Sequence, residues 1–265
     1  MSSAGSKPIV LITGAAGNLG RSVAAALADG YQIVGRDRQA RAEGPDGRYP
    51  ILAVDLGADE SVAAALQAFG QGHGTRIASV VHLAAYFDFT GEDNPLYQSV
   101  NVDGTRRLLQ ALQGFEVGQF LYPSTMLVHA PCRPGEHGHI PSAVLRLAGV
   151  YDTQTMVPTL AQQMARIHER DLQSHLYAGS LLVGPSALHR DDMLAALRRA
   201  VDRREQLPGG TEILIVEADD HMPWASGARA NCWAGRPRRR LADELPAMVA
   251  SLKSDPAAWY AAKRR

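Results

Sequence analysis

The chain has 265 residues, 46% of them hydrophobic and 20% charged. That composition supports a sizeable core and excludes wholesale disorder, and the length fits one large α/β domain or a main domain with a smaller appendage. Lys+Arg and Asp+Glu both number 27, so no net charge draws the chain to nucleic acid or to an anionic membrane surface.

Residues 8–13 (PIVLIT) form a β-branched apolar run that reads as a strand. Gly14 to Gly20 follows, then an Ala/Leu-rich helix over 19–28 that stops at Gly30. Residues 31–36 and 51–54 predict the second and third strands, and 59–69 a helix capped by Asp59 and closed by Gly70. Residues 77–84 (IASVVHLA) predict a fourth strand, and 95–113 a long helix with Pro95 in its first turn. Strands follow at 119–124 and 143–148. The later part is less regular, with helices expected at 158–170, 190–204 and 241–253 and a strand at 211–217. Strands alternating with helices define the expected fold class: α/β, a Rossmann-like doubly wound parallel sheet. The expected division is a main domain over 1–175 and a smaller region over 176–265, partly interleaved with it.

The turn Thr13-Gly14-Ala15-Ala16-Gly17-Asn18-Leu19-Gly20 is a G-x-x-G-x-x-G sequence between a strand and a helix. Gly14 allows a tight turn, Gly17 lets backbone approach a diphosphate, and Gly20 permits close helix–strand packing. The helix start at Asn18 and Leu19 then offers N–H groups and partial positive charge to the phosphates. Asp37 stands 23 residues after Gly14, at the end of the second strand. A carboxylate there accepts hydrogen bonds from ribose hydroxyls and repels a 2′-phosphate, which favours NAD over NADP. Its neighbours Arg36 and Arg38 are the groups that would hold such a phosphate instead.

Further motifs follow in order: Asp55-Leu56 after the third strand, His82-Leu83-Ala84-Ala85 after the fourth, Asn101-Val102-Asp103-Gly104-Thr105 in the long helix, and Tyr122-Pro123-Ser124-Thr125 at the end of the fifth strand. Leu145-Arg146 through Val150-Tyr151 and His189-Arg190-Asp191-Asp192 complete the set. Together these motifs, spread over about 8–205, resemble the extended short-chain dehydrogenase/reductase family, the NAD-dependent epimerase/dehydratase group. The resemblance implies adenine contacts from Asp55 and Leu56, and a segment Leu83, Ala84, Ala85 lying along NAD. It places Asn101 and Ser124 at the cofactor and Thr125 as the active-site hydroxyl. It also implies hydride transfer on a small-molecule substrate, a nucleotide-sugar or another hydroxy or carbonyl compound, and pairing of two copies through helices.

One part of the family pattern is missing. Its acid/base Tyr, with a Lys four residues later, belongs between Thr125 and Arg146, and neither residue type occurs there. The only lysines are Lys7, Lys253 and Lys263, and none has Tyr four places before it. The interval holds Pro131, Pro134, Gly135 and Gly138, a poor helix and a short crossover between parallel strands. Three readings compete: residues omitted from this sequence, an inactive relative that binds nucleotide, or an unrecognised acid. The first is preferred because the flanking motifs are kept.

Cys132, His137 and His139 crowd one loop but match no common zinc spacing, so no metal is expected. His82 reads equally as a hydrogen-bonded core residue or as a group acting directly at the cofactor. His129 follows the active-site strand and reads as a pocket-lining residue or the first of the loop. Two cysteines make no disulfide framework and point to a reducing cytoplasm, and the opening residues lack a signal-peptide pattern. No apolar run approaches the roughly 18 residues that span a bilayer, so no membrane partner is expected.

Overall fold

The run PIVLIT supplies β1 (Ile9–Thr13), buried from Val10 onward. It is an interior strand of the sheet in the computed structural model, which describes residues 6–40, 49–87, 93–125, 142–147, 149–151, 187–206 and 211–216, with isolated positions between 247 and 255. Helix α1 (Asn18–Leu27) buries Gly20, Val23, Ala24 and Leu27, a single stripe at helical spacing. β2 (Gln32–Asp37) is buried from Ile33 to Arg36, as expected of a strand covered on both faces. β3 (Ile51–Ala53) follows, then α2 (Asp59–His73), β4 (Arg76–Ile77) and β5 (Ser79–His82).

A π-helical turn over Tyr97–Val102 leads into α3 (Asp103–Ala111), and β6 (Glu116–Val117) and β7 (Phe120–Thr125) come next. Beyond them lie β8 (Ser142–Leu147), β9 (Gly149–Tyr151), β10 (Ala187–His189), α4 (Arg190–Asp202) and β11 (Thr211–Val216).

Seven strands form the main sheet in the order β11-β8-β7-β5-β1-β2-β3. β1 pairs in parallel with β2 and with β5, β2 with β3, and β5 with β7. The chain therefore winds outward in opposite directions from β1, and the boundary between β1 and β5 is a topological switch point. In open parallel sheets the crevice beyond the strand C-termini at that point is where ligands bind. The expected Rossmann-like doubly wound sheet is thus borne out.

Several boundaries differ from the sequence reading. α2 runs on through Gly70 to His73; Ala58 precedes it and Gly74, at φ +80°, ends it. Phe69 explains the extension, since its ring lies 5.1 Å from that of His73 and 5.8 Å from that of Phe115, a contact that rewards one more turn. The fourth strand breaks at Ala78, whose N–H turns to the Ile9 carbonyl, and stops at His82. The helices expected at 158–170 and, for the most part, 241–253 lie outside the described residues.

Contacts divide the chain into two units. The first comprises Met1–Pro123, Gly135–Val144 and Ala200–Glu212. Its core packs Leu11, Val34, Leu56, Leu66, Phe69 and Leu108 between the sheet and helices α2 and α3. A buried polar bridge ties β5 to α4: Ser79 Oγ donates to Gln119 Oε1 at 2.9 Å, and Gln119 Nε2 donates to the Ala200 carbonyl at 3.1 Å. The second unit comprises Ser124–Pro134, Leu145–Arg199 and Ile213–Arg265. There β9 and β10 pair in parallel, and buried His189 stands directly before α4, its Nδ1 accepting the Asp191 N–H at 3.1 Å. That is the helix start the His-Arg-Asp-Asp sequence predicts.

Candidate functional site

The glycine turn lies at the C-terminal end of β1, as its sequence requires. Gly14 adopts φ +70°, a conformation L side chains rarely adopt, and a Cβ on it would lie 2.8 Å from the Ala84 nitrogen. A Cβ on Gly20 would collide with the Gly14 carbonyl and lie 2.8 Å from Ala15 Cα. Gly17 differs from both. It precedes α1 at φ −69° and ψ 168°, and a Cβ there would meet only the Gly14 carbonyl oxygen, at 3.2 Å. No side chain caps α1 and no acid stands in its first turn. The N–H groups at Asn18 and Leu19 and the positive end of the helix dipole therefore carry no side-chain partner. A ten-residue helix behind a turn whose two outer glycines are sterically compelled is an arrangement that can accept an anion.

Asp37 is the last residue of β2, and its carboxylate faces the turn. Oδ2 accepts the Ala16 N–H at 2.9 Å and Oδ1 accepts the Arg38 N–H at 2.8 Å. A carboxylate has about four acceptor sites, so these two bonds fix its orientation while leaving capacity for hydroxyl donors. The two arginines beside it part ways. Arg38 is exposed, whereas Arg36 is buried and donates through Nη2 to the Ala65 carbonyl of α2 at 2.7 Å. Burial also lowers the Arg36 pKa below its ordinary value. Arg36 is thus a core residue, directed away from any 2′-phosphate.

Asp55 follows β3 and shapes its own turn, Oδ1 accepting the Gly57 N–H at 2.8 Å while its N–H donates to Ser61 Oγ at 2.9 Å. Leu56 is buried against Gly104, where a Cβ would stand 2.9 Å from Leu56 Cβ and 3.0 Å from its carbonyl oxygen. The glycine of the N-x-x-G-T sequence is therefore required for α3 to dock on Leu56. Arg107 reinforces the docking, donating to the Leu56 and Ser99 carbonyls at 3.2 and 3.0 Å and pairing with Asp59.

Leu83, Ala84 and Ala85 leave β5 next to the glycine turn. Leu83 N–H donates to the Thr13 carbonyl at 3.2 Å, and Ala84 N–H donates to Thr13 Oγ1 at 3.2 Å. The other side of this segment is clamped by Asn101. Its Oδ1 accepts the Tyr86 N–H at 2.7 Å and its Nδ2 donates to the Tyr86 carbonyl at 2.9 Å. Tyr86 is steadied in turn by Asn94, whose Nδ2 donates to its hydroxyl at 2.9 Å, and by the Tyr97 ring, edge-on at 5.0 Å. The π-helical turn brings Asn101 to this position, and such turns are common at functional sites.

His82 is buried in the middle of this assembly. Nδ1 lies 2.7 Å from Thr13 Oγ1 and Nε2 lies 3.0 Å from Thr105 Oγ1. Its ring stacks near Tyr122, and burial pushes its pKa down to about 4, so it is neutral. Of the two readings its sequence position allowed, the structure selects the hydrogen-bonded core residue. Half-buried Ser124 and then Thr125 end β7.

The sequence reading missed the roles of Thr13, Tyr86 and Thr105. Thr105 alone carried a signal, as the last residue of the N-x-x-G-T motif. Cys132, His129, His137 and His139 lie outside the described residues. Among the described residues no group of His, Cys, Asp or Glu is placed to hold a metal ion, and no helix is long and apolar enough to cross a membrane.

A doubly wound parallel sheet with an uncapped glycine turn at its switch point and an acid ending β2 is a dinucleotide-binding fold. The model of the NAD dependent epimerase/dehydratase family matches residues 10–208, and the chain belongs to that family. The extended short-chain dehydrogenase/reductase assignment is thus borne out.

No curated protein matches the chain in sequence. Solved structures share its fold. A short-chain dehydrogenase/reductase superfamily protein from Agrobacterium tumefaciens with bound NAD is 18% identical, covering 93% of this chain and 97% of its own, at a TM-score of 0.62. The Bordetella bronchiseptica enzyme WbmG in complex with NAD is 17% identical over 96% of both chains, with a TM-score of 0.62. The Thermus thermophilus UDP-glucose 4-epimerase complex with NAD is 21% identical over 79% of this chain and 78% of that one, at a TM-score of 0.55.

Proposed function

We propose that this chain is an NAD-dependent oxidoreductase of the epimerase/dehydratase type, acting on a nucleotide-sugar or another small hydroxy or carbonyl compound. The observation that carries the reading is the cradle at the start of α1: an uncapped helix N-terminus behind a turn that a Cβ at Gly14 or Gly20 would destroy. Its residues fit NAD. Backbone N–H groups at Asn18 and Leu19 hold the diphosphate, while the Gly17 N–H closes the turn on the Gly14 carbonyl at 3.1 Å. Asp37 takes the adenosine ribose hydroxyls, and exposed Arg38 and the Asp55-Leu56 turn border the adenine side. Leu83, Ala84 and Ala85, positioned by Thr13 and Asn101, form the floor under the rest of the cofactor. NAD, when bound, supplies the carbon that accepts or returns hydride. Thr125 donates a hydrogen bond to the reacting substrate oxygen and orients its carbon. The neutral His82 supplies no proton, because both of its nitrogens face threonine hydroxyls.

A second reading is favoured by one observation, the absence of any Tyr-x-x-x-Lys from the sequence. It makes the chain a nucleotide-binding sensor or scaffold without turnover. Titration of NADH fluorescence tests the shared part of both readings: saturable binding supports them, and a folded protein that takes up no NADH removes them. Intact mass of the protein from its natural source then separates them. A mass well above that of the 265 residues supports the enzyme, and a matching mass supports the binder.

A further inference from the structure

The hydrogen bonds around His82 permit one arrangement of protons. The Asn101 carbonyl only accepts, so the Thr105 hydroxyl, 2.6 Å away, must donate to it. That spends the single proton of Thr105 Oγ1. The 3.0 Å contact between Thr105 Oγ1 and His82 Nε2 then requires an N–H on Nε2. A neutral imidazole has one N–H, so Nδ1 carries a lone pair, and the Thr13 hydroxyl 2.7 Å away donates to it. Thr13 Oγ1 is left as the acceptor of the Ala84 N–H. The result is a directed chain: Ala84 N–H to Thr13, Thr13 to His82, His82 to Thr105, Thr105 to the Asn101 carbonyl.

This chain joins three pieces that share no sequence proximity: the end of β1 where the glycine turn begins, the segment leaving β5, and the π-helical start of α3. The turn and the segment already touch, since Gly14 admits no Cβ against Ala84. Asn101, at the far end of the chain, clamps the same segment through Tyr86. We propose that His82, held as its Nε2–H tautomer, is a positioning residue of the cofactor groove, setting the spacing between the Gly14–Gly20 turn and the floor segment 83–86. The proposal rests on the NAD reading above.

Two variants divide the ring's two tasks. His82→Asn places an amide oxygen near the Nδ1 position and keeps an acceptor for Thr13. His82→Gln places an amide N–H near the Nε2 position and keeps a donor for Thr105. His82→Leu keeps neither.

The imidazole 15N spectrum of the wild-type protein, taken without cofactor at neutral pH, reads the tautomer directly. A protonated Nε2 and bare Nδ1 on His82 are expected; a protonated Nδ1, or a mixture of the two, overturns the proposal. NADH titration supplies the functional arm. His82→Leu, which loses both bonds, is expected to raise Kd about tenfold. His82→Asn, which keeps the link to the glycine turn, is expected to recover most of that loss, and His82→Gln less of it. A merely structural role instead lowers melting temperature in all three without this ordering in Kd, and that result overturns the proposal, as does a parent-like Kd in His82→Leu. Should His82→Leu fail to fold, the tautomer and the Asn-against-Gln comparison decide. Wild-type protein that shows the expected tautomer and binds no NADH defeats the NAD reading instead.

Discussion

Replacing Gly17 by Val separates the ligand from the fold. At φ −69° and ψ 168° the Gly17 backbone lies in the extended region that any residue adopts. A Cβ there meets one atom, the Gly14 carbonyl oxygen at 3.2 Å, which must yield by a few tenths of an ångström. Against that cost stands a stiffer unfolded chain, and the two effects, each below about 1 kcal/mol, nearly cancel. Urea unfolding of Gly17→Val is therefore expected to track the parent. The branched side chain, however, stands where a diphosphate must reach the N–H groups that open α1. Two charge-assisted hydrogen bonds lost at about 1.5 kcal/mol each amount to about 3 kcal/mol, or about a hundredfold in Kd. The assay is NADH fluorescence titration of both proteins at matched salt. A folded Gly17→Val protein that binds NADH as tightly as the parent refutes the cradle, and with it the nucleotide reading.

Gly14→Ala is expected to behave oppositely, because its φ of +70° and the 2.8 Å approach to the Ala84 nitrogen are properties of the folded chain itself. Its urea midpoint should fall by the equivalent of about 2 kcal/mol without any ligand, and an unchanged midpoint would contradict the turn geometry. Asp37→Ala is expected to weaken NADH about tenfold while sparing or improving NADPH, since it removes both an acceptor and a repelling charge; a parent that binds the two cofactors equally shows that Asp37 does not select. Stability should also depend on pH through His82. The unfolded ring takes up a proton near its ordinary value of 6.5 and the folded ring only near about 4. Stability from this group is thus complete above about pH 6.5, declines by up to about 3 kcal/mol as pH falls toward 4, and is flat below. Urea midpoints of wild type and His82→Gln across that range check it, and parallel curves would show that His82 is not the group responsible.

Much of the nucleotide half was legible because its signals are local. A β-branched run, a glycine turn and an Ala-rich stripe specify β1–turn–α1 within twenty residues, and Asp37 follows from the length of one strand–helix–strand unit. What escaped depends on partners distant in sequence. Thr13 and His82 are 69 residues apart, and no periodicity announces that one hydroxyl orders two strand ends. Arg36 and Arg38 look alike in sequence, yet β2 ends at Asp37, so Arg36 lies within the strand and packs under α2 while Arg38 lies past its end and is exposed. The overrun of α2 past Gly70 has the same origin. Local glycine propensity argued for a stop, and the packing of Phe69 on His73 and Phe115 outweighed it.

The same distinction explains why binding and chemistry need not share a fate in this chain. Gly14, Gly17, Gly20, Asp37, Asp55, the 83–86 segment and Asn101 all stand on β1, β2, β3, β5 and the start of α3, within one unit. Gly14 and Gly20 are fixed there by backbone sterics, and Asp37, Asp55, the 83–86 segment and Asn101 by hydrogen bonds to neighbours in the same unit. The bonds described above run among residues 13–105 of that unit. The missing Tyr/Lys pair therefore leaves the reason for the glycines in place. An intact cradle is evidence for the cofactor and not, by itself, for catalysis.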